Sequence, residues 1–253
     1  MIKVENITTS GWEAALRGMR NPMNSWDKSD TKWGESRGEN GLIAYSVPRI
    51  GRNDLGLMRS LYQAGTECRK YLRMIHVSMD ITAPLYWYKE FDTYKVGVSS
   101  NGCSTMHKLF DKKFEVSDFS FDGGSDAISG DKHISRIVRQ MNVLRSAYLK
   151  ADTLREVMTP EQLQNTVEEL HCRNLEEMKK AIWRTAVQQL PSAYNQKRTI
   201  DMNYENVFNI LHQREGHRLT EWNSFVEILK SLPYVKEISR GLAIPKLKKE
   251  EKQ

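Results

Sequence analysis

Segment 75–81 constrains the fold more than any other. Ile75, Val77, Met79 and Ile81 alternate with His76, Ser78, Asp80 and Thr82. Alternation with period two puts successive side chains on opposite faces, so this is a strand with one buried face and one wet face. Such a strand needs a sheet partner and a cover on its apolar side, in keeping with an α+β chain. Pro84 ends or kinks the strand. The aromatic run "LYWY" at 85–88 is expected to continue extended beyond it.

Around this strand the pattern is mostly helical. Residues 1–5 read as a short strand. Ser10 and Glu13 have the spacing of a capping box, predicting a helix through Met19. Residues 21–52 are rich in Asn, Asp, Gly, Ser and Arg and read as one long loop, either functional or mobile. Asn53 is placed to cap a helix bearing Leu57, Met58, Leu61 and Tyr62 on one face and stopped by Gly65. Residues 117–131 read as loop, and Asp122-Gly123-Gly124 within them as a lid or a linker. Ile134, Ile137, Val138, Met141, Leu144 and Tyr148 then form a helical stripe. "TPEQ" at 159 and "NLEE" at 174 are helix starts, the second helix ending before Pro191. Two more helices are predicted over 203–214 and 220–232. The tail "PKLKKEEKQ" reads as frayed. The sum is an α+β fold, strand-rich early and helical late: one domain over 1–240 and a charged tail over 241–253.

Composition narrows the function classes. The chain has 253 residues and a net charge of +6, which favours anionic partners or reflects a merely basic surface. No stretch approaches the roughly 18 consecutive apolar residues of a membrane span. The first residues carry no apolar signal core, so a cytoplasmic protein is expected. Cys68, Cys103 and Cys172 stand far apart without a CxxC, so neither a zinc knuckle nor a disulfide framework is indicated. His171-Cys172 on a helix, and His212 with His217, lack the further ligands of a metal site and read as surface or core residues. Trp26 and Trp33, near Lys28, Lys32 and Arg37, have two readings. They stack single-stranded nucleic acid, or they anchor a loop on the core, and the second is preferred.

The segment "APLYWYKEFDTYKVGVSSNGCSTMH" at 83–107 goes further. It resembles the signature of flavin-dependent thymidylate synthases, in which a strand ends in Ala-Pro and is followed by Gln-Trp, Arg-His-Arg and Ser-x-Asn-x-x-Ser-x-Arg. Ala83-Pro84 is kept. Glu90-Phe91 stands at the Gln-Trp position and Thr93-Tyr94-Lys95 at Arg-His-Arg. After one inserted residue, Ser99 to Thr105 matches Ser-x-Asn-x-x-Ser-x, with Met106 at the closing Arg. A second block, Leu190-Pro191 through Asn203 to Arg214, is similar to the family's late block without a gap. "EAALRGMRNPMNSWD" faintly resembles its N-terminal helix and the positions after it.

The resemblance implies a flavin-dependent thymidylate synthase-like fold, an antiparallel sheet with a helical C-terminal half. It also implies a homotetramer with sites where subunits meet. The implied activity is reductive methylation of deoxyuridylate, or a related C5 one-carbon transfer to a pyrimidine deoxynucleotide. FAD is the implied cofactor, with NADPH and methylenetetrahydrofolate as co-substrates; nucleic acid is not an expected partner. Arg214 is the expected catalytic group, forking onto a phosphate or a pyrimidine carbonyl. Glu90, Gly102, Cys103, Ser104 and Thr105 join it around the substrate. Backbone N–H groups and hydroxyls of 102–105 would close on the phosphate. Cys103 is otherwise read as a buried structural thiol. Thr93, Tyr94, Lys95 and Asn203 are the expected cofactor contacts, Asn203 serving equally as a helix N-cap. The departures are Glu90, the loss of Arg-His-Arg, Glu205 and Met106, with Arg184 one helical turn from where it would compensate. They leave a second reading, a non-catalytic nucleotide-binding protein that kept the fold and lost flavin chemistry.

Overall fold

The computed structural model describes residues 2–37, 43–45, 47–121, 130–169 and 171–240. The expectations for Asp122-Gly123-Gly124 and for the tail lie outside them. The chain divides into two compact units, one built from residues 82–90 and 102–197, the other from 2–81, 91–101 and from 198 onward.

Most residues of an antiparallel four-stranded sheet of order β1-β4-β6-β5 belong to the second unit. Its strands are β1 (Lys3–Ser10), β4 (His76–Pro84), β5 (Val98–Gly102) and β6 (Asn195–Asn203). The alternation read from 75–81 holds: Ile75, Val77, Met79 and Ile81 are buried, whereas Ser78 and Asp80 are half-buried and His76 is exposed. On the wet face Asp80 accepts from Asn6 Nδ2 at 2.9 Å and from Thr199 Oγ1 at 2.7 Å. The helices of this unit are α1 (Trp12–Arg20), α2 (Arg52–Gln63), α7 (Tyr204–Arg214), α8 (Thr220–Lys230) and α9 (Val235–Ser239). Trp12 of α1 meets Tyr204 of α7 edge to face, with ring centroids 5.2 Å apart.

Several local expectations fail for identifiable reasons. Ser10 does not cap α1; it ends β1, and Gly11 is the N-cap at φ 80°. A Cβ on Gly11 would sit 1.9 Å from the Met74 carbonyl oxygen, so the close approach of that backbone requires glycine there. Asn53 does not cap α2 either. The helix begins at Arg52, and Asp30 accepts from the N–H groups of Asn53 (2.9 Å) and Asp54 (3.1 Å) across the loop. The stretch 21–52 is more regular than expected. It contains 3-10 turns at Asn21–Met23 and Trp26–Lys28 and an antiparallel hairpin of β2 (Glu35–Arg37) and β3 (Ile43–Tyr45).

The first unit holds α3 (Leu85–Phe91, up to Glu90), α4 (Gly130–Val157), α5 (Pro160–Glu169) and α6 (Leu175–Gln189). The aromatic run is therefore a helix and not an extended continuation. Trp87, Tyr88 and Phe91 fall one and four positions apart and are all buried, a helical spacing. The N–H groups of Leu85 and Tyr86 donate to the carbonyls of Tyr194 (3.0 Å) and Ser192 (2.9 Å). The stripe on α4 packs as expected, Ile134 and Met141 joining Phe110, Phe114, Phe119 and Ala186 in one core. Both helix starts hold as well. Thr159 Oγ1 accepts from Gln162 N–H at 3.2 Å while Gln162 Oε1 accepts from Thr159 N–H at 2.9 Å; Asn174 Oδ1 accepts from Glu177 N–H at 2.9 Å. His171 is not helical: it sits in a turn at φ 55° after α5. Strand β6 departs from the mostly helical pattern expected of the late chain.

Candidate functional site

In the second unit the end of α7 carries a guanidinium built into an aromatic cage. Arg214 donates through Nε to Tyr94 Oη at 2.9 Å, and Tyr94 Oη donates to Gln213 Oε1 at 2.9 Å. The guanidinium carbon lies 4.5 Å from the Trp222 ring centroid and 5.6 Å from that of Tyr94. A cation over an indole face gains up to about 2 kcal/mol when desolvated, and Trp is the best such platform. Phe91 stacks on Trp222 at 6.4 Å and contacts Tyr94 at 6.1 Å, fixing both rings from behind.

Local sequence explains this convergence. Helix α7 ends at Arg214, and Gly216 adopts φ 69°, turning the chain so that His217 returns beside it. His217 Nε2 lies 3.2 Å from Arg214 Nη1, while His217 Nδ1 accepts from Leu219 N–H at 3.1 Å. The two contacts set the imidazole edge against the guanidinium and tie the ring to the turn backbone. His217 and Trp222 were missed as site residues. Their only sequence signals are an i, i+3 relation to Arg214 and a Trp at the start of an apolar helix.

Asn203 is the N-cap of α7. Its Oδ1 accepts from Asn206 N–H at 3.0 Å and from Asn206 Nδ2 at 3.1 Å, and Asn206 Nδ2 also donates to the Gly97 carbonyl at 3.1 Å. Gly97 is in the left-handed region at φ 74°, and a Cβ there would lie 2.4 Å from Asn203 Nδ2. Of the other cofactor candidates, Thr93 and Lys95 are exposed in the turn before β5. Glu205 is ion-paired to Arg73 and lies 3.7 Å from Arg69. This Glu205 pairing holds Arg73 above the ordinary arginine range.

The first unit holds the substrate candidates Glu90 and Gly102 to Thr105. Glu90 is half-buried on α3. Ser99 to Gly102 are not loop but strand β5, which lies at the sheet edge. The Cys103 N–H donates to the Lys197 carbonyl at 2.9 Å, and the Cys103 carbonyl accepts from Gln196 Nε2 at 2.6 Å. That backbone is thus committed to the neighbouring strand instead of a phosphate. The Cys103 side chain is exposed, against the expectation of a buried thiol. Ser104 Oγ accepts from the N–H groups of Met106 (3.2 Å) and His107 (3.1 Å), which orders the turn and leaves its own O–H as a donor. Beyond it lies a cleft of about 840 Å³ lined by Met106, His107, Arg145, Lys179, Lys180 and Trp183, among others. Lys179 Nζ sits 4.7 Å from the Tyr148 ring centroid. Trp183 Nε1 donates to the Met106 carbonyl at 2.9 Å. Cationic side chains therefore stand beside Met106, where the resemblance has a single arginine. Among the described residues no cluster of His, Cys, Asp and Glu is arranged to hold a metal ion, and no helix is long and apolar enough to cross a membrane.

No family model and no curated protein matches the sequence. Solved structures do match the fold. One is the flavin-dependent thymidylate synthase ThyX from Helicobacter pylori complexed with FAD and dUMP, 14% identical, with a TM-score of 0.54, covering 93% of this chain and 95% of that one. A second structure of ThyX from Helicobacter pylori with FAD and dUMP is 13% identical, with a TM-score of 0.55, covering 90% and 91%. The chain has the α+β fold of the flavin-dependent thymidylate synthases, with an antiparallel sheet and a helical C-terminal half.

Proposed function

We propose that the chain binds a pyrimidine deoxynucleotide, deoxyuridylate being the first candidate, and that the site serves a one-carbon transfer to C5 of the base. The observation that carries this reading is the bond between Tyr94 and Arg214. Both residues occupy positions of the thymidylate synthase motifs, 120 residues apart, and the similar solved structures hold dUMP. Arg214 supplies a planar cation with the His217 ring beside it. A planar cation suits a pyrimidine carbonyl or a phosphate, and charge placed at the carbonyl oxygen stabilises the enolate whose C5 attacks the one-carbon donor. For the first unit taken by itself, the Ser104 and Thr105 hydroxyls are proposed as donors to a phosphate.

The full reaction of this reading is reductive methylation, with methylenetetrahydrofolate as carbon donor, NADPH as reductant and FAD as cofactor, in a homotetramer. The residues at the expected flavin positions do not fit a flavin held in that manner. Both hydrogen-bonding functions of the Tyr94 hydroxyl are engaged by Arg214 and Gln213, the Asn203 carbonyl caps α7, and Lys95 alone supplies charge. That same commitment favours a second reading, nucleotide binding without flavin chemistry.

Calorimetric titration of the purified chain with deoxyuridylate tests the common part. Saturable binding that Arg214→Ala removes is expected; equal binding by the variant would sink the site. A visible flavin absorbance band, together with rescue of thymidine-auxotrophic cells, separates the catalytic reading from the binding one.

A further inference from the structure

The loop after α1 presents two tryptophans outward around a small cleft. Trp26 is 51% exposed and Trp33 is 38% exposed, so neither anchors the loop by burial as the sequence suggested. Both line a cavity of about 190 Å³ with Glu13, Leu16, Arg17, Arg20 and Ser29. Glu13, Leu16, Arg17 and Arg20 follow the i, i+3, i+4, i+7 spacing on α1 and share one face of it.

The arrangement is rigid. Asp54, fully buried, accepts from Arg20 Nε at 2.7 Å, Ser29 Oγ at 2.7 Å, Asp30 N–H at 3.2 Å, Thr31 N–H at 3.1 Å and Thr31 Oγ1 at 2.5 Å. Arg20 also donates to the carbonyls of Ser25 (3.0 Å) and Lys28 (3.1 Å). Trp26 Nε1 donates to Asn21 Oδ1 at 2.8 Å, which fixes the plane of the indole. Next to Trp33, Lys32 and Arg49 exchange backbone hydrogen bonds of 3.0 and 2.9 Å. A buried charge network therefore orders the loop that carries these two exposed indoles.

We propose that this cleft is a binding site for an amino-bearing purine in a mononucleotide, distinct from the Arg214 site. An indole face stacks on any base, and a bicyclic purine offers it the larger overlap. The cavity is smaller than the roughly 300–1,000 Å³ clefts that enclose a whole drug-sized ligand, so it takes one ring system. The Glu13 carboxylate accepts from adjacent ring N–H and amino donors, as on guanine, and Arg17 supplies a cation for the phosphate.

The test is quenching of tryptophan fluorescence in the intact chain by guanosine monophosphate and inosine monophosphate. Saturable quenching is expected, tighter for guanosine monophosphate, and undisturbed by saturating deoxyuridylate. Trp33→Ala weakens it by about tenfold or more, the order expected for one lost stack, while Trp33→Phe retains most of it. Glu13→Gln erases the preference for the amino-bearing base. All variants are compared at matched melting temperature, since the side chains are exposed. Absence of saturable quenching by either nucleotide, or a Trp26→Ala/Trp33→Ala chain that titrates like its parent, overturns the proposal. Competition by deoxyuridylate would assign the quenching to the Arg214 site and likewise defeat it. Loss of deoxyuridylate binding alone bears only on that other site.

Discussion

Tyr94 and Arg214, 120 residues apart, share a hydrogen bond of 2.9 Å, and the arginine packs on Trp222 from the other side. The hydroxyl acts as a strut for the guanidinium, since it accepts from Nε while donating to Gln213.

Tyr94→Phe keeps the ring and removes the strut. A hydrogen bond to a charged group contributes about 1.5–3 kcal/mol, so deoxyuridylate affinity should fall by roughly tenfold or more while the melting temperature barely moves. Arg214→Ala should abolish binding. Isothermal titration of both variants decides; an unchanged Tyr94→Phe affinity would mean that the arginine needs no alignment.

Gly97→Ala should destabilise the second unit by about 2 kcal/mol or more. A left-handed backbone costs a non-glycine residue of order 1 kcal/mol or more, and here the new Cβ also meets the Asn203 amide at 2.4 Å. That amide cannot retreat freely, because its carbonyl caps α7 and its partner Asn206 is tied to the Gly97 carbonyl. Urea unfolding measures the loss, and a fall below about 0.5 kcal/mol would show that the turn relaxes.

Asn174→Ala provides a contrast in the first unit. The side chain caps α6 through Glu177 N–H at 2.9 Å, so its removal should cost about 1 kcal/mol. Nucleotide affinity at Arg214 should be unaffected. A large drop in affinity from this variant would show that the cap does more than hold α6.

How far the sequence was legible depended on whether a residue's partners lay close along the chain. The strand at 75–81 announced itself because one face is dry and the other wet. The caps at Thr159 and Asn174 were readable because the N–H groups that donate to them lie three residues away. Strand β5 hid because its small polar residues sit at a sheet edge with no buried face, the burial that alternation reports. Strand β6, "NQKRTIDMN", hid because only its last turns of pleat, Ile200 and Met202, are apolar and buried. The aromatic run misled because Tyr and Trp favour strands locally, whereas their packing here needs helical spacing. In the site, Arg214 and Tyr94 were reached through motif resemblance. His217 and Trp222 were not, since their role arises from the turn at Gly216. Asp54 was invisible as the organiser of the 21–31 loop, because all of its partners lie 23 to 34 residues upstream.

That carboxylate makes the loop acid-sensitive. Burial pushes the Asp54 carboxyl up, but hydrogen bonds from Thr31, Ser29 and Arg20 outweigh it and hold the group below the ordinary value of 3.8. A group whose folded-state value is depressed stabilises the fold above its unfolded value. The contribution is complete at neutral pH and fades as pH falls through 3.8 toward the folded value. Asp54→Asn removes the charge, strands Arg20 in a buried site, and should cost about 3–5 kcal/mol at pH 7. The variant should also lose part of the parent's decline in stability below pH 4. Urea midpoints measured from pH 7 down to pH 3 check both: parallel curves for parent and variant would remove Asp54 as the source of acid sensitivity.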